Sequence, residues 1–382
     1  MSAVYIHDAL RTPRGKARGD GGLAGETPQS LVAHLVDALE ARGHDPRGRA
    51  GRLTLGCVGQ IGAQGGHVAM VAKLKAGLPD AMPVHTINNF CASGLSAIGL
   101  SAAAVAAGQT QWALGGGVEM LSRVAFMADE ADYYTATDMD PPRRYIPVAL
   151  AADLLAEKEG IDRAALDAVA LASQARAVAA EGRPELLASR IAVAGLDRDE
   201  AVRPTDAARL AALPPAFAVL ADQYRGVIGD APIDHRHSVG HAPPMADGAG
   251  LALLGPKQGA RARILAIAES GGDPRDSLTA GFAAMDIALD RAGLTLAQLD
   301  RIEFMEAFGV TIAKFMRDRA PDPARVNVGG GHIAKGHPMG ATGAILLSTL
   351  LDALDAADGT LGLVVATGAQ GVGVAMIVER IG

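Results

Sequence analysis

Apolar positions fall into short dense runs and longer stretches with helical spacing, and the two kinds alternate along the chain. Val4 to Ile6 begins a short apolar strand that ends at the turn signal Arg11-Thr12-Pro13. Thr27 followed by Pro28 has the form of an N-cap with proline at the first helical position, and Leu31, Leu35, Ala38 and Leu39 follow at helical spacing. Leu53 to Val58 reads as a second strand. Ser93 to Ala107 reads as a helix poor in bulky groups, followed by Trp112-Ala-Leu and the triple glycine Gly115 to Gly117.

The last third replays this order. Arg263 to Ala268 is strand-like, and Phe282, Met285, Leu289 and Ala292 share one helical face. Ile302 to Met305 is a strand, Ala341 to Leu354 a helix, and Leu361 to Ala366 a strand. Cys91-Ala-Ser-Gly94 overlays Gly340-Ala-Thr-Gly343, and a strand begins the same distance beyond each. This pattern predicts a duplicated α/β unit, each half with an inner helix and flanking layers. Between the halves, Met120 to Ala246 changes character. It is charged and helical from Leu150 to Ala180, then irregular through Pro204, Pro214-Pro215 and Pro232, as expected of an inserted lid or binding subdomain.

Composition narrows this picture. The 382 residues are 49% apolar but only 3% aromatic, so Ala, Val, Leu and Ile must fill the core, with 47 glycines permitting close backbone approach. A formal charge of −7 with no long basic run argues against nucleic acid as a partner. Met1 to Pro13 lacks the charged and apolar regions of a secretory signal. The most apolar stretch, Leu95 to Gly108, is far shorter than a membrane span and reads as a buried helix. Two cysteines, Cys57 and Cys91, form no CxxC or framework pattern, so a reducing cytoplasm is the expected compartment and no membrane partner is expected.

The sharpest chemical signal is Asn88-Asn-Phe-Cys-Ala-Ser-Gly94. It sets a cysteine between a strand and a helix rich in small residues, where helix N–H groups favour a thiolate and can hold a thioester oxygen. Cys57, inside an apolar run, reads as core. A second glycine-rich turn, Gly329 to Gly340, carries His337 just before the matching helix of the other half. If the halves pack about a pseudo-two-fold axis, His337 faces Cys91, and a thiol–imidazole pair is the usual activated nucleophile. His235, His237 and His241 cluster in the insertion and read as surface or loop histidines; no metal ligand set is expected, since no carboxylate completes a recognised spacing.

Further motifs fall in a fixed order: Asp8-Ala-Leu-Arg-Thr-Pro-Arg-Gly-Lys16, Gly116-Gly-Val-Glu119, Leu213-Pro-Pro-Ala-Phe217, Asp247-Gly-Ala-Gly250, Glu306-Ala-Phe308, Gly336-His-Pro-Met-Gly340 and Gln370-Gly-Val-Gly373. On these and the Cys91 turn the chain resembles the thiolase superfamily, the acetyl-CoA acyltransferase and 3-ketoacyl-CoA thiolase-like enzymes of fatty acid metabolism, over nearly its full length. The resemblance implies an α/β, duplicated five-layer αβαβα fold. Residues 1–119 and 247–259 would form the N-terminal half, 120–246 a loop domain over the coenzyme A site, and 260–382 the C-terminal half. It implies Cys91 as the acylated residue and His337 as its activator, with coenzyme A as co-substrate, no bound cofactor, and a homodimer or homotetramer.

Departures from the family pattern bear on the carbon–carbon step. The family's second catalytic cysteine, placed by anchoring on Gln370-Gly371, becomes Val365, and the polar residue before Glu-Ala-Phe becomes Met305. The family serine of the loop domain aligns with Pro243, its asparagine with His241, and a pocket histidine falls near Pro147. Glu306 and His332 are the candidate accessory groups. For His332 a replacement base and a supporting residue are equal alternatives. Phe308, Phe217, His241, Met305 and Val365 are the candidate substrate or coenzyme A contacts. The function this implies is acyl transfer through Cys91 with altered transfer or condensation chemistry; the alternatives are a non-catalytic partner subunit and a thioester hydrolase.

Overall fold

The computed structural model describes residues 3–381; Met1 and Ser2, part of the leader reading above, and Gly382 lie outside the described residues. The first half runs β1 (Tyr5–Arg11), β2 (Gly15–Lys16), α1 (Pro28–Ala41), α2 (Pro46–Arg49), β3 (Leu53–Gly56), α3 (Val68–Lys75), β4 (Val84–Ile87), α4 (Ser93–Ala106) and β5 (Ala113–Met120). Five helices of the insertion follow: α5 (Val148–Lys158), α6 (Arg163–Ala180), α7 (Ala207–Ala211), α8 (Ala218–Gln223) and α9 (Arg225–Ile228). Then come β6 (Ala246–Gly255), β7 (Ala262–Gly271), α10 (Ala280–Ala292), β8 (Arg301–Phe304), α11 (Gly309–Arg319), α12 (His332–Lys335), α13 (Met339–Ala356), β9 (Leu361–Gly368) and β10 (Val372–Arg380).

The strands join in the order β4-β3-β5-β6-β1-β7-β10-β9-β8, with β2 paired to β6. The duplication is explicit in the pairing. β3 runs parallel to β5, β5 antiparallel to β6, and β6 antiparallel to β1; β8, β9, β10 and β7 repeat the same three relations. The halves meet where β1 and β7 pair antiparallel, Tyr5 opposite Arg263. Helices α1 and α3 cover the outer face of one half and α10 that of the other, while α4 and α13 lie together between them. These are the five layers.

Local chemistry accounts for the elements. Thr27 caps α1, accepting from Ser30 N at 3.2 Å, and Pro28 occupies the first turn. The stretch expected to be helical from Leu150 to Ala180 is divided between two helices, because Gly160 takes a left-handed conformation (φ +64°) and Asp162 caps a new start. Met339–Ala356, beyond the Leu95 to Gly108 stretch considered above, is long and apolar enough to cross a membrane, but 89% of it is buried as the central helix. The small residues of α4 and α13 let the two backbones touch. A Cβ on Gly94 would lie 2.7 Å from the Gly340 carbonyl oxygen, and one on Gly343 2.7 Å from Leu95 N.

The insertion is fastened to both halves by buried polar bonds. Asp199 accepts from Arg11 at 2.8 and 3.0 Å and from Arg14 at 3.3 Å, all with side chains no more than 2% exposed. Burial opposes ionisation of Asp199, but Arg11 and Arg14 outweigh it and hold its carboxyl well below the usual carboxylate range. Replacing Asp199 by Asn strands two buried cations, so urea unfolding at neutral pH is expected to lose about 3–5 kcal/mol. A depressed folded pKa contributes stability that is fully present above the ordinary carboxylate value of about 3.9 and is lost as pH falls through the folded value. The Asn variant is therefore expected to show a flatter acid limb in stability against pH.

Candidate active site

The turn before α4 is held by its own polar groups. Asn89 N donates to Ser93 Oγ at 2.8 Å, Ser93 N to the Phe90 carbonyl at 3.0 Å, and Phe90 itself is left-handed (φ +46°), a strained state for a non-glycine residue. This presents Cys91, partly exposed, to a cavity of about 430 Å³. From the other half, Gly336 (φ +106°) turns the chain so that His337 N donates to the Pro244 carbonyl at 2.8 Å and the imidazole enters the same cavity.

His337 Nε2 lies 3.2 Å from Cys91 Sγ, and Nδ1 lies 2.7 Å from Thr342 Oγ1. The Thr342 hydroxyl has one proton, which it donates to the Pro338 carbonyl at 3.1 Å, so it accepts from His337 Nδ1–H. That tautomer leaves Nε2 as a lone pair facing the thiol. Burial pushes the Cys91 thiol up to about 12, against the opposing pull of the Ala369 N–H, and burial holds His337 down to about 3, with Arg14 adding to it. The pair therefore rests as thiol and neutral imidazole. Burial thus opposes the thiolate that the helix N-terminus was expected to favour, while the N–H groups of Ala369 and Cys91 pull the other way.

Glu119 binds the two halves of the site together. It accepts from Val58 N at 2.9 Å, Gly59 N at 3.1 Å and Gln64 Nε2 at 2.7 Å, and from Gly340 N, at the start of α13, at 2.8 Å. Its partner Cys57 is buried with Sγ 3.7 Å from Glu119, and burial pushes that thiol far up, so Cys57 is core, as its apolar run suggested.

Models of the thiolase N-terminal and C-terminal domains match residues 4–227 and 258–380. The chain belongs to the thiolase family. It is 33% identical over its full length to a 3-ketoacyl-CoA thiolase of Erwinia tasmaniensis and 32% identical to one of Escherichia coli, both also covered completely. A beta-ketoadipyl-CoA thiolase of Pseudomonas knackmussii is 34% identical, with 99% of each chain covered. Membership makes the protein an acyltransferase with coenzyme A as co-substrate.

Within this thiolase fold, the structure brings Cys91, His337, Phe217 and Phe308 into one cavity and leaves the other candidates outside it. Glu306 is buried and spent on structure: it accepts from Ser173 Oγ at 2.8 Å and Ile333 N at 2.9 Å, fixing the start of α12. Met305 is core, its N–H donating to the Val365 carbonyl at 2.9 Å. His241, fully buried, bonds Asp167 at 2.7 Å and does not line the cavity. His235 and His237 both bond Asp153, at 2.8 and 2.7 Å, so His237 and His241 are not surface histidines but pins of the insertion. His332 lies fully buried behind His337.

Val365 requires a correction. Side chains alternate along β9, and Val365 and Thr367 point outward, each within 2.9 Å of where a Cβ on Gly281 of α10 would stand. The residues of β9 and its turn that reach Cys91 are Gly368, whose added Cβ would lie 3.4 Å from Cys91 Cβ, and Ala369, which lines the cavity. Sequence reading also missed Thr342 and the aromatic wall of Phe90, Phe126, Tyr134, Tyr145 and Tyr224. The one signal for that wall was the crowding of tyrosines into the insertion, in a chain with only five.

Two outcomes test the site. Iodoacetamide should label Cys91 and spare Cys57, with a rate that climbs with pH and reaches no plateau short of about 12, read by peptide mass spectrometry. Thr342→Val, which removes the acceptor at Nδ1 while keeping the shape, should slow Cys91 acylation by roughly tenfold or more, since base assistance is worth about 10²–10⁴ in rate.

Proposed function

We propose that this thiolase loads an apolar acyl group from acyl-CoA onto Cys91 and passes it on readily to a thiol, amine, hydroxyl or decarboxylation-derived nucleophile, but performs ordinary Claisen condensation and thiolysis poorly. The observation that carries this reading is the proton inventory of the cavity. His337 is the one basic side chain beside Cys91 Sγ among the described residues, and the end of β9 offers only Gly368 and Ala369 there. The chain's second cysteine, Cys57, is outside the cavity. Tyr145 lines it, but its hydroxyl is turned to Met127 Sδ at 3.5 Å and burial pushes its pKa up; Asp129 is occupied by the Tyr134 hydroxyl.

In the loading step the Cys91 S–H proton moves to His337 Nε2 as Sγ attacks the thioester carbonyl. The N–H groups of Cys91 and Ala369, which both favour negative charge at the thiol, would hold the oxyanion. Collapse breaks the carbonyl carbon–sulfur bond to coenzyme A, whose thiolate takes the proton back from His337. One base suffices for this exchange. Breaking a carbon–carbon bond also needs a proton delivered to the α-carbon, and His337, held at Nδ1 by Thr342 and aimed at Sγ, is poorly placed to serve both. The walls, with Phe126, Val148, Phe217, Leu220 and Leu278, favour an apolar chain longer than acetyl. Pro147 and Pro243, where the family has polar contacts, extend that apolar lining.

Intact-protein mass after incubation with acyl-CoAs of increasing length should reveal one hydroxylamine-labile adduct, absent in Cys91→Ser. Acyl exchange with coenzyme A should exceed acetoacetyl-CoA thiolysis by a wide margin. Ala369→Cys, which puts a thiol into the cavity, should raise thiolysis more than exchange, whereas Val365→Cys, facing the outer layer, should raise neither. Thiolysis as fast as exchange in the parent chain defeats this reading.

A further inference from the structure

The histidine behind the base is a buried titratable group near the site that the chemistry above leaves unused. His332 is 0% exposed, and neither of its ring nitrogens has a hydrogen-bond partner among the described residues. Its ring stacks on that of His337, with centroids 4.7 Å apart and planes 19° from parallel. It does not line the cavity, so it cannot exchange a proton with a bound substrate. We propose that His332 is a positioning residue, a neutral aromatic plate against which His337 rests while it carries the proton taken from Cys91.

The physical case starts from the cost of that moment. Proton transfer from Sγ to Nε2 creates an imidazolium in a buried place where Arg14 already opposes a second positive charge. A cation over an aromatic face within about 6 Å of the ring centre is stabilised by the ring's electron density, and more so where water is excluded. His332 supplies that face at 4.7 Å, and burial, with His337 and Arg14 adding to it, keeps it uncharged so that it does not repel. The stack also fixes the one freedom that Thr342 leaves open. A bond at Nδ1 restrains the ring's edge, and a plate restrains rotation about that bond. At full burial, two ring nitrogens with no hydrogen-bond partner among the described residues are costly. The return lies on the ring's face.

This rests on the acyl-enzyme reading, and the experiment separates the two. Single-turnover acylation of Cys91 is followed by quenched-flow mass spectrometry with decanoyl-CoA, alongside thermal melts, for the parent and for His332→Ala, His332→Gln and His332→Phe. Ala and Gln should lower the saturating acylation rate by about tenfold while the half-saturating decanoyl-CoA concentration stays within about twofold, and Phe, which restores a plate without nitrogens, should recover the rate to within about threefold. If Phe does not melt cooperatively, added imidazole should rescue the Ala variant instead, by filling the space left. Parent-like rates in Ala or Gln overturn the proposal, as does a folded Phe variant as slow as Ala, or absent imidazole rescue where Phe does not fold. No adduct in the parent overturns the acyl-enzyme reading itself; a parent adduct with indifferent His332 variants overturns only the plate.

Discussion

Helices α4 and α13 approach so closely that a methyl group on Gly94 would lie 2.7 Å from the Gly340 carbonyl oxygen, and one on Gly343 2.7 Å from Leu95 N. Cys91 and His337 stand just before these helices, on separate halves and 246 residues apart, so their 3.2 Å separation is a direct readout of that approach. Glu119 fixes the same contact from below, accepting N–H groups from the loop after β3 and from the first turn of α13. A side chain added at either glycine would part the helices and with them the catalytic pair. The scarcity of bulky residues in the central layer, an oddity of composition at first sight, is thus a requirement of the chemistry.

The same burial that makes the pair close makes it uncharged. A helix N-terminus stabilises an anion by about 0.3–1 kcal/mol, rising to about 2 in favourable buried settings. Moving the Cys91 thiol from 9.0 to about 12 corresponds to roughly 4 kcal/mol against the thiolate at about 1.36 kcal/mol per pKa unit. Desolvation wins. The nucleophile is therefore made on demand, by proton transfer as substrate arrives, and whatever steadies His337 in its cationic moment bears directly on rate.

The duplicated unit, its inner helices and the Cys91–His337 encounter were all legible in the residues, because each depends on local pattern: small residues at helical spacing, glycine turns and matched order in the two halves. What failed depended on direction in space. Gln370 and Gly371, the anchor for that position, are both left-handed (φ +59° and +75°), and counting back from such a turn does not register which face of β9 a residue takes, which one residue's shift reverses. Val365 was the result, a core residue packed on α10. Glu306 and His241 misled for a related reason: both are buried polar groups near the site, yet their partners, Ser173 and Asp167 on α6, come from another segment and are invisible to spacing. The helical stretch of the insertion is divided by one left-handed glycine, Gly160, a boundary that periodicity does not register.

His337 is restrained along three directions: by Thr342 at Nδ1, by Cys91 at Nε2 and by the His332 ring across its face. A base so fixed has little entropy left to lose on the way to the transition state, which favours one proton transfer along one axis. On the proposed reading, the same restraint limits the swing by which a lone base could also attend to an α-carbon. A second group at the end of β9 would remove the conflict by dividing the labour, but Gly368 admits almost nothing there: its added Cβ would stand 2.9 Å from Val372 Cγ2 and 3.2 Å from Cys91 N. Ala369, one residue further on, lines the cavity. On the proposed reading, the restraint on His337 and the lack of an ionisable side chain at Gly368 and Ala369 act together to favour acyl exchange.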